Sequence, residues 1–315
     1  MRIFISGATG VLGRRLVEQF ARRGHSVAGL VRDPRGEQRV KSLGGEPRWA
    51  DLFNPATLAR AAEGCDIILH AATSIPVKPK ISTQDWMMND RIRREGTRAL
   101  ADAAARVGAK LYLQQSVVWV ARPRDESPFR EDSPVVCEDP ILQSAADAES
   151  IAREAGEKHG FCVAVLRGGS FYDAESGHTR MLAEGLRHRK LPIMGSGDAV
   201  WAMIHTDDMA AAFVAAAEKP QSGIWHVVDN ELVTVRDFFL TFAMKLGAPA
   251  PRRVPLWLAR WVTGEATVRF FNASTRTTNA HLRHDFAWAP QYPTYREGLD
   301  QILAAWKSNS PSKAE

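Results

Sequence analysis

The feature that most constrains this chain is Gly7-Ala8-Thr9-Gly10-Val11-Leu12-Gly13, placed directly after the apolar run MRIFIS and directly before a segment of helical periodicity. Strand, glycine turn and helix in that order commit the N-terminal part to an α/β layer. Each glycine removes a Cβ that would obstruct a tight turn, an approaching diphosphate, or close packing of helix on strand. The helix N-terminus then offers unpaired N–H groups and a positive dipole end to an anion. Gly7, Thr9, Gly10, Val11, Leu12 and Gly13 are therefore the predicted pyrophosphate cradle of a dinucleotide.

Apolar strands and helical segments continue to alternate as far as Phe161 to Leu166, giving six strands. Such alternation predicts a doubly wound parallel Rossmann sheet over residues 1–170. Short strands, proline breaks and six of the nine tryptophans follow after residue 200. They predict a smaller α+β substrate lobe over 171–308, with some return to the sheet and a disordered polar tail at 309–315. The whole of 84–107 reads as one long helix. Residues 122–140, charged and holding four prolines, read as an excursion or lid on the substrate side.

The net charge is +5, and the first fifty residues alone carry an excess of six positive charges. Concentration around the glycine turn favours a phosphorylated small molecule over nucleic acid, which needs an extended basic track with stacking aromatics. No apolar run approaches the length of a membrane span, and no signal peptide is expected. Cys65, Cys137 and Cys162 are too dispersed for a metal site or a disulfide framework, so a reducing cytoplasm is expected and no metal.

The second strand ends on Arg32-Asp33. An acidic residue at this place bonds the ribose of NAD, whereas an arginine accommodates the 2′-phosphate of NADP. Arg32 comes first and Asp33 turns into the bend with Pro34, so NADP is expected rather than NAD. Arg14 and Arg15 either add charge to that phosphate or begin an exposed helix. Asp51, at the end of the third strand, is placed to bond the adenine. Ala71 and Ala72 are small enough for a ribose and nicotinamide to come close to the backbone. His70 reads as a packed strand-end histidine, and Ser116 is delivered to the sheet edge by the fifth strand.

SGATGVLG, Asp51-Leu52, HAAT at 70–73, GTRALADAA at 96–104, Ser116, LRGGSFYD at 166–173 and MIHTDDMAAAF at 203–213 together resemble the extended short-chain dehydrogenase/reductase superfamily, in its epimerase/dehydratase-like branch. The resemblance covers almost the whole chain. It implies that Gly7, Gly10, Gly13, Arg32, Asp51, Leu52, Ala71, Ala72 and Thr73 hold the cofactor, and that the helix pair 84–107 and 141–159 can form a homodimer. It also implies Tyr-x-x-x-Lys after the serine-bearing strand, where the lysine lowers the tyrosine pKa. Here those positions are Ile141 and Ala145, which transfer no proton. The family asparagine before Gly96-Thr97 is Arg93, and Tyr-Gly after the sixth strand is Tyr172-Asp173.

Three functions are compatible with these residues. The first is an NADP-dependent oxidoreductase passing a hydride to or from a C=O, C=N or conjugated C=C group of a small apolar metabolite, with Ser116 and Tyr172 as catalytic candidates. The second is a regulator that senses NADP without chemistry, similar to the nitrogen-regulator proteins of the superfamily. The third is an epimerase or non-redox cyclase using bound NAD(P).

Overall fold

The computed structural model describes residues 1–77, 82–137 and 140–308. The predicted disordered tail at 309–315 lies outside them. Six strands and their crossover helices follow the expected alternation: β1 Arg2–Ser6, α1 Val11–Arg22, β2 Ser26–Val31, α2 Pro34–Ser42, β3 Glu46–Trp49, α3 Pro55–Ala61, β4 Ile67–His70, α4 Thr83–Arg91, α5 Thr97–Val107, β5 Leu111–Val117, α6 Pro140–His159 and β6 Cys162–Gly168. Thereafter come β7 Ser170–Tyr172, α7 Gly177–Arg187, β8 Ile193–Met194, β9 Val200–Trp201, β10 Met203–His205, α8 Thr206–Glu218 and β11 Gly223–Val227. The chain ends through β12 Val233–Thr234, α9 Val235–Lys245, β13 Arg253–Val254, α10 Leu256–Thr263, α11 Glu265–Phe271, α12 Ala280–Phe286 and α13 Tyr295–Ser308.

Seven strands form one sheet in the order β11-β6-β5-β4-β1-β2-β3, and every pairing in it is parallel. The seventh strand, β11, comes from the part of the chain expected to be mainly the second lobe with some return to the sheet, and it pairs with β6. Strand alternation explains how both faces are buried. Ile3, Ile5, Leu69, Leu111 and Leu113 face Leu16, Val17 and Phe20 of α1 and Met209 and Phe213 of α8. Phe4, Ile68 and Tyr112 face the opposite layer, with Leu58, Leu100 and Ala152. A separate cluster holds Trp201, Phe238, Phe239, Phe242, Tyr295 and Leu299. It is built on the short ladders β7–β10, β8–β13 and β9–β12.

Local capping distinguishes α1 from its neighbours. Asp33 caps α2 by accepting from Gly36 N at 2.8 Å, and Asn54 caps α3 by accepting from Ala56 N at 3.1 Å. Proline occupies the first turn of both helices. By contrast α1 begins on Gly10 with no side-chain cap. Its terminal N–H groups point to the sheet's C-terminal edge without an internal acceptor.

The helix expected over 84–107 is interrupted. A π-helical turn, Ile92–Gly96, joins α4 to α5. One wider turn shifts the side-chain register, so Arg93 is carried inward and is buried. Nothing in the residue pattern announces this turn, because no proline or glycine pair marks it.

Candidate cofactor and active site

The glycine turn has the shape of an anion cradle. Gly7 has φ +83°, and a Cβ there would stand 2.6 Å from Ala72 N and 2.7 Å from Ala72 Cα. A Cβ on Gly13 would run into the carbonyl of Gly7. These two glycines make room for the protein's own backbone. Gly10 differs: its Cβ would meet only Gly7 O, at 3.3 Å, and otherwise enter open space above the turn. That unfilled volume at an uncapped helix N-terminus suits a pyrophosphate. Thr9 and Val11 are half-buried beside it, while the Leu12 side chain belongs to the core and leaves only its backbone for the ligand.

At the adenosine end the geometry separates Arg32 from Asp33. The Asp33 carboxylate is spent on capping α2, whereas Arg32 is exposed and forms no hydrogen bond or ion pair among the described residues. Thr9 and Gly36 are adjacent, since a Cβ on Gly36 would lie 3.1 Å from Thr9 Cγ2, so the glycine turn and the start of α2 share one rim. Asp51 is exposed at the same edge and accepts from Phe53 N at 3.0 Å; Leu52 is buried against Gly96.

Arg14 donates through Nε to Gly10 O at 3.3 Å, and Arg15 is committed to acids. Arg15 donates through Nε to Asp207 at 2.9 Å, through Nη1 to Glu175 at 3.1 Å and through Nη2 to Asp173 at 3.3 Å. Arg14 is paired with Glu175. The two guanidiniums tie α1 to the loop after β7, and Arg15 also to Asp207 in the first turn of α8, so neither simply begins an exposed helix. The nearby acids could be matched to them only after folding.

Ala71 is buried, Ala72 half-buried and Thr73 exposed where β4 leaves the sheet. His70 is buried between Ser6 Oγ, at 3.4 Å from Nδ1, and Ile92 O, at 3.3 Å from Nε2. Burial pushes its pKa down to about 4, so it is a neutral packed ring, as its place in the sequence suggests. The loop after β4 is held by Ser74 N donating to Asn89 Oδ1 at 3.0 Å and by Pro76 O against His178 Nε2 at 3.2 Å. Residues 78–81 of that loop lie outside the described residues.

Ser116 is 3% exposed and donates to Glu149 Oε1 at 2.5 Å. Glu149, on α6, also accepts from Arg167 Nε at 2.9 Å and Nη2 at 2.7 Å. This buried pair holds the ends of β5 and β6 to α6 through a bidentate, charge-assisted contact. Ala145 is buried one turn before Glu149; the side chain of Ile141 is outside what is described. Arg93, from the π turn, brings its guanidinium to Ser144 Oγ at 3.4 Å. Sequence reasoning marked Arg93 as a departure from the family pattern but gave no sign that its charge is buried here.

Tyr172 requires correction. It is 2% exposed, donates to Asp229 Oδ2 at 2.8 Å, and packs edge-on against His205 and Phe238. Burial, with the neighbouring Asp229 carboxylate, raises its pKa well above the ordinary tyrosine value. The ring anchors the second cluster, and in this structure its hydroxyl is committed to Asp229. The stretch 122–137 is also less lid-like than its composition implies. Phe129 is buried, its N–H donates to Arg276 O at 3.0 Å, and Glu131 accepts from His226 N at 2.9 Å. Residues 138 and 139 of the expected lid are not among the described residues.

A family model described as the NAD dependent epimerase/dehydratase family matches residues 3–228. The chain belongs to that family. Its members are extended short-chain dehydrogenase/reductases, and this chain is an NAD(P)-dependent oxidoreductase of that superfamily without the usual Tyr-x-x-x-Lys. A 3-diazoavenalumate denitrifying reductase of a Streptomyces species is 30% identical over 309 residues, covering 95% of this chain and 99% of the relative. A ceramide reductase of Caulobacter vibrioides is 28% identical over 307 residues, 94% of this chain and 88% of that one. Among solved structures, a human epimerase family protein with NADPH superimposes with TM-score 0.80 at 21% identity, covering 96% of this chain and 99% of that one. The fold is also that of a dTDP-glucose 4,6-dehydratase of Streptomyces venezuelae solved with NAD, at TM-score 0.80 and 21% identity over 98% of both chains.

Proposed function

We propose that this family member is an NADPH-dependent reductase of a small, mainly apolar metabolite, acting on a C=O, C=N or conjugated C=C group in the reducing cytoplasm. The observation that carries the cofactor preference is the division of labour after β2: Asp33 caps α2, and Arg32 stands exposed at the rim shared with the glycine turn. An arginine there matches a 2′-phosphate, while Asp33 is turned to α2 with its Oδ1 accepting from Gly36 N. The names of relatives support reduction of apolar molecules, since they include the ceramide reductase and a ketoreductase of a farnesyl-bearing dihydroquinoline oxide.

The bound nicotinamide supplies hydride chemistry, and the protein's task is to position the acceptor and manage charge. With Ala145 in the lysine position and isoleucine in the tyrosine position, no residue pair on α6 provides a strong acid. Ser116 is the hydroxyl we assign to the reacting atom. To donate to it, the serine must turn away from the Glu149 carboxylate, which only accepts. Acceptors that need no acid from the protein suit this site best: conjugated alkenes, whose enolate takes its proton from water after hydride addition, and iminium carbons, for which hydride addition alone completes the reduction.

The test is NADPH consumption by the purified protein with a panel of apolar ketones, enones and imines. We expect at least one class to be reduced, with NADH a poorer donor. Tight NADPH binding with no panel compound reduced, or equal use of NADH, overturns the proposal.

A further inference from the structure

We infer that the outer face of the helix pair α10 and α11 docks on an anionic lipid bilayer, with the protein lying on the bilayer surface without spanning it. This face shares no residue with the cofactor cleft and does not depend on which cofactor binds. Trp257 is 69% and Trp261 83% exposed, the latter the most exposed large apolar side chain among the described residues, and Val262 and Phe270 are each more than half exposed. Single apolar residues scattered over a surface are ordinary, whereas four within fourteen positions make a patch.

Helical geometry explains why these rings face outward. Ala259 of α10 and Val268 of α11 are buried together with Met194. Trp257 and Trp261 each stand two residues from Ala259, about 200° around the helix, and Phe270 stands likewise from Val268. The two tryptophans are one turn apart and so share a face. Gly264, at φ +86°, turns the chain between the helices. At eight residues α10 is far too short to cross a bilayer.

Charge selects the occupant. Residues 251–280 hold five arginines, at 252, 253, 260, 269 and 276, against a single acid, Glu265, a balance of +4. Arg252 and Arg253 are exposed and meet no carboxylate among the described residues. Arg260 is exposed and pairs with Glu265 at 2.9 Å. Exposed indoles beside an excess of arginine are the composition of an interfacial helix, with the rings at headgroup level and the guanidiniums on lipid phosphates. A second copy of this chain fits less well, because it would set +4 against +4.

The position gives such docking a use. Phe270 stacks on Trp119 with ring centroids 6.5 Å apart and an interplanar angle of 27°. Trp119 lies in the short turn Val118–Ala121 after β5, three residues beyond Ser116. The patch and the wall beyond Ser116 therefore share one aromatic stack, which brings an apolar molecule held in the bilayer toward the reacting end of the cleft.

The test is flotation of the full chain at low salt with vesicles of phosphatidylcholine alone, and with vesicles containing about one quarter phosphatidylglycerol. The protein is expected to float with the anionic vesicles and to favour them roughly tenfold or more over the neutral ones. Trp257→Ala combined with Trp261→Ala should lower partitioning onto anionic vesicles by roughly tenfold or more. Arg252→Gln combined with Arg253→Gln should lower the preference between vesicle types severalfold. All four side chains are exposed, so thermal unfolding should be unchanged. Two measurements on the unaltered protein cover a variant that fails to fold: salt at about 0.5 M should weaken binding severalfold, and lipids brominated along the acyl chain should quench tryptophan emission. Absence of binding to anionic vesicles, equal binding to both types, salt-independent binding, or wild-type binding by the tryptophan variant overturns the inference. A dimer in light scattering that the tryptophan variant converts to monomer also overturns it, because the occupant is then a second copy of this chain.

Discussion

Gly10→Val separates a glycine reserved for ligand from glycines reserved for the fold. Gly10 has φ −74° and ψ 177°, an extended conformation open to any residue, and its Cβ would touch only Gly7 O at 3.3 Å. Placing an apolar side chain at a helix N-cap costs about 1 kcal/mol. For a chain of this size that is a fall in Tm of about 2–4 °C. Both valine methyls then enter the space above the turn, and a pyrophosphate cannot share it. NADPH affinity should fall by on the order of a hundredfold or more, about 2.8 kcal/mol. Gly13→Ala is the contrasting variant, because its Cβ runs into the Gly7 carbonyl and backbone must move. It should cost about 3 kcal/mol or more, at the upper end of overpacking. Thermal unfolding and calorimetric titration of both variants give the four values needed. Wild-type NADPH affinity in Gly10→Val means that the nucleotide lies elsewhere, and a Tm loss as large as that of Gly13→Ala means that the open volume above Gly10 does not exist.

Arg32→Ala should weaken NADPH by about 1.5–3 kcal/mol, the range for a charge-assisted contact, and leave NADH unchanged in the same titration. Ser116→Ala should lower turnover by roughly ten- to a hundredfold with NADPH affinity nearly constant; wild-type turnover removes Ser116 from the chemistry. Tyr172→Phe should retain activity and lose stability in chemical denaturation, because its hydroxyl serves Asp229; loss of most activity without unfolding would restore it as an acid. Burial raises the pKa of Asp229 to about 7, so the folded state holds a proton that the unfolded chain releases near 4. That contribution favours folding at low pH and is lost as pH rises toward and through 7. The stability of Asp229→Asn relative to wild type should therefore rise across that window, and a pH-independent difference contradicts the assignment.

What could be read from sequence follows from how local each signal is. The turn at Gly7 to Gly13, the bend at Asp33-Pro34 and the strand alternation are encoded within a few residues, and the six parallel strands they predict are found within a sheet of seven. The turn of Asp33 into the start of α2 was equally legible, because Pro34 already fixes the helix start. Arg14 and Arg15 were not legible, since their partners Asp173, Glu175 and Asp207 lie about 160 to 190 residues away. Tyr172 looked like a candidate acid because its burial depends on α9 and α13, which arrive later in the chain. The π turn at Ile92–Gly96 is set by packing against β4 and α6, not by a propensity of IRREG itself, so the buried placement of Arg93 appears only in three dimensions.

The central claim is that this cradle, with Arg32 at its rim, selects NADPH. Calorimetric titration of the unaltered protein with NADPH and with NADH, at matched low ionic strength, tests it most directly. The account predicts NADPH binding tighter by roughly tenfold to a hundredfold, the affinity equivalent of about 1.5–3 kcal/mol. Equal affinities, or tighter binding of NADH, would contradict it.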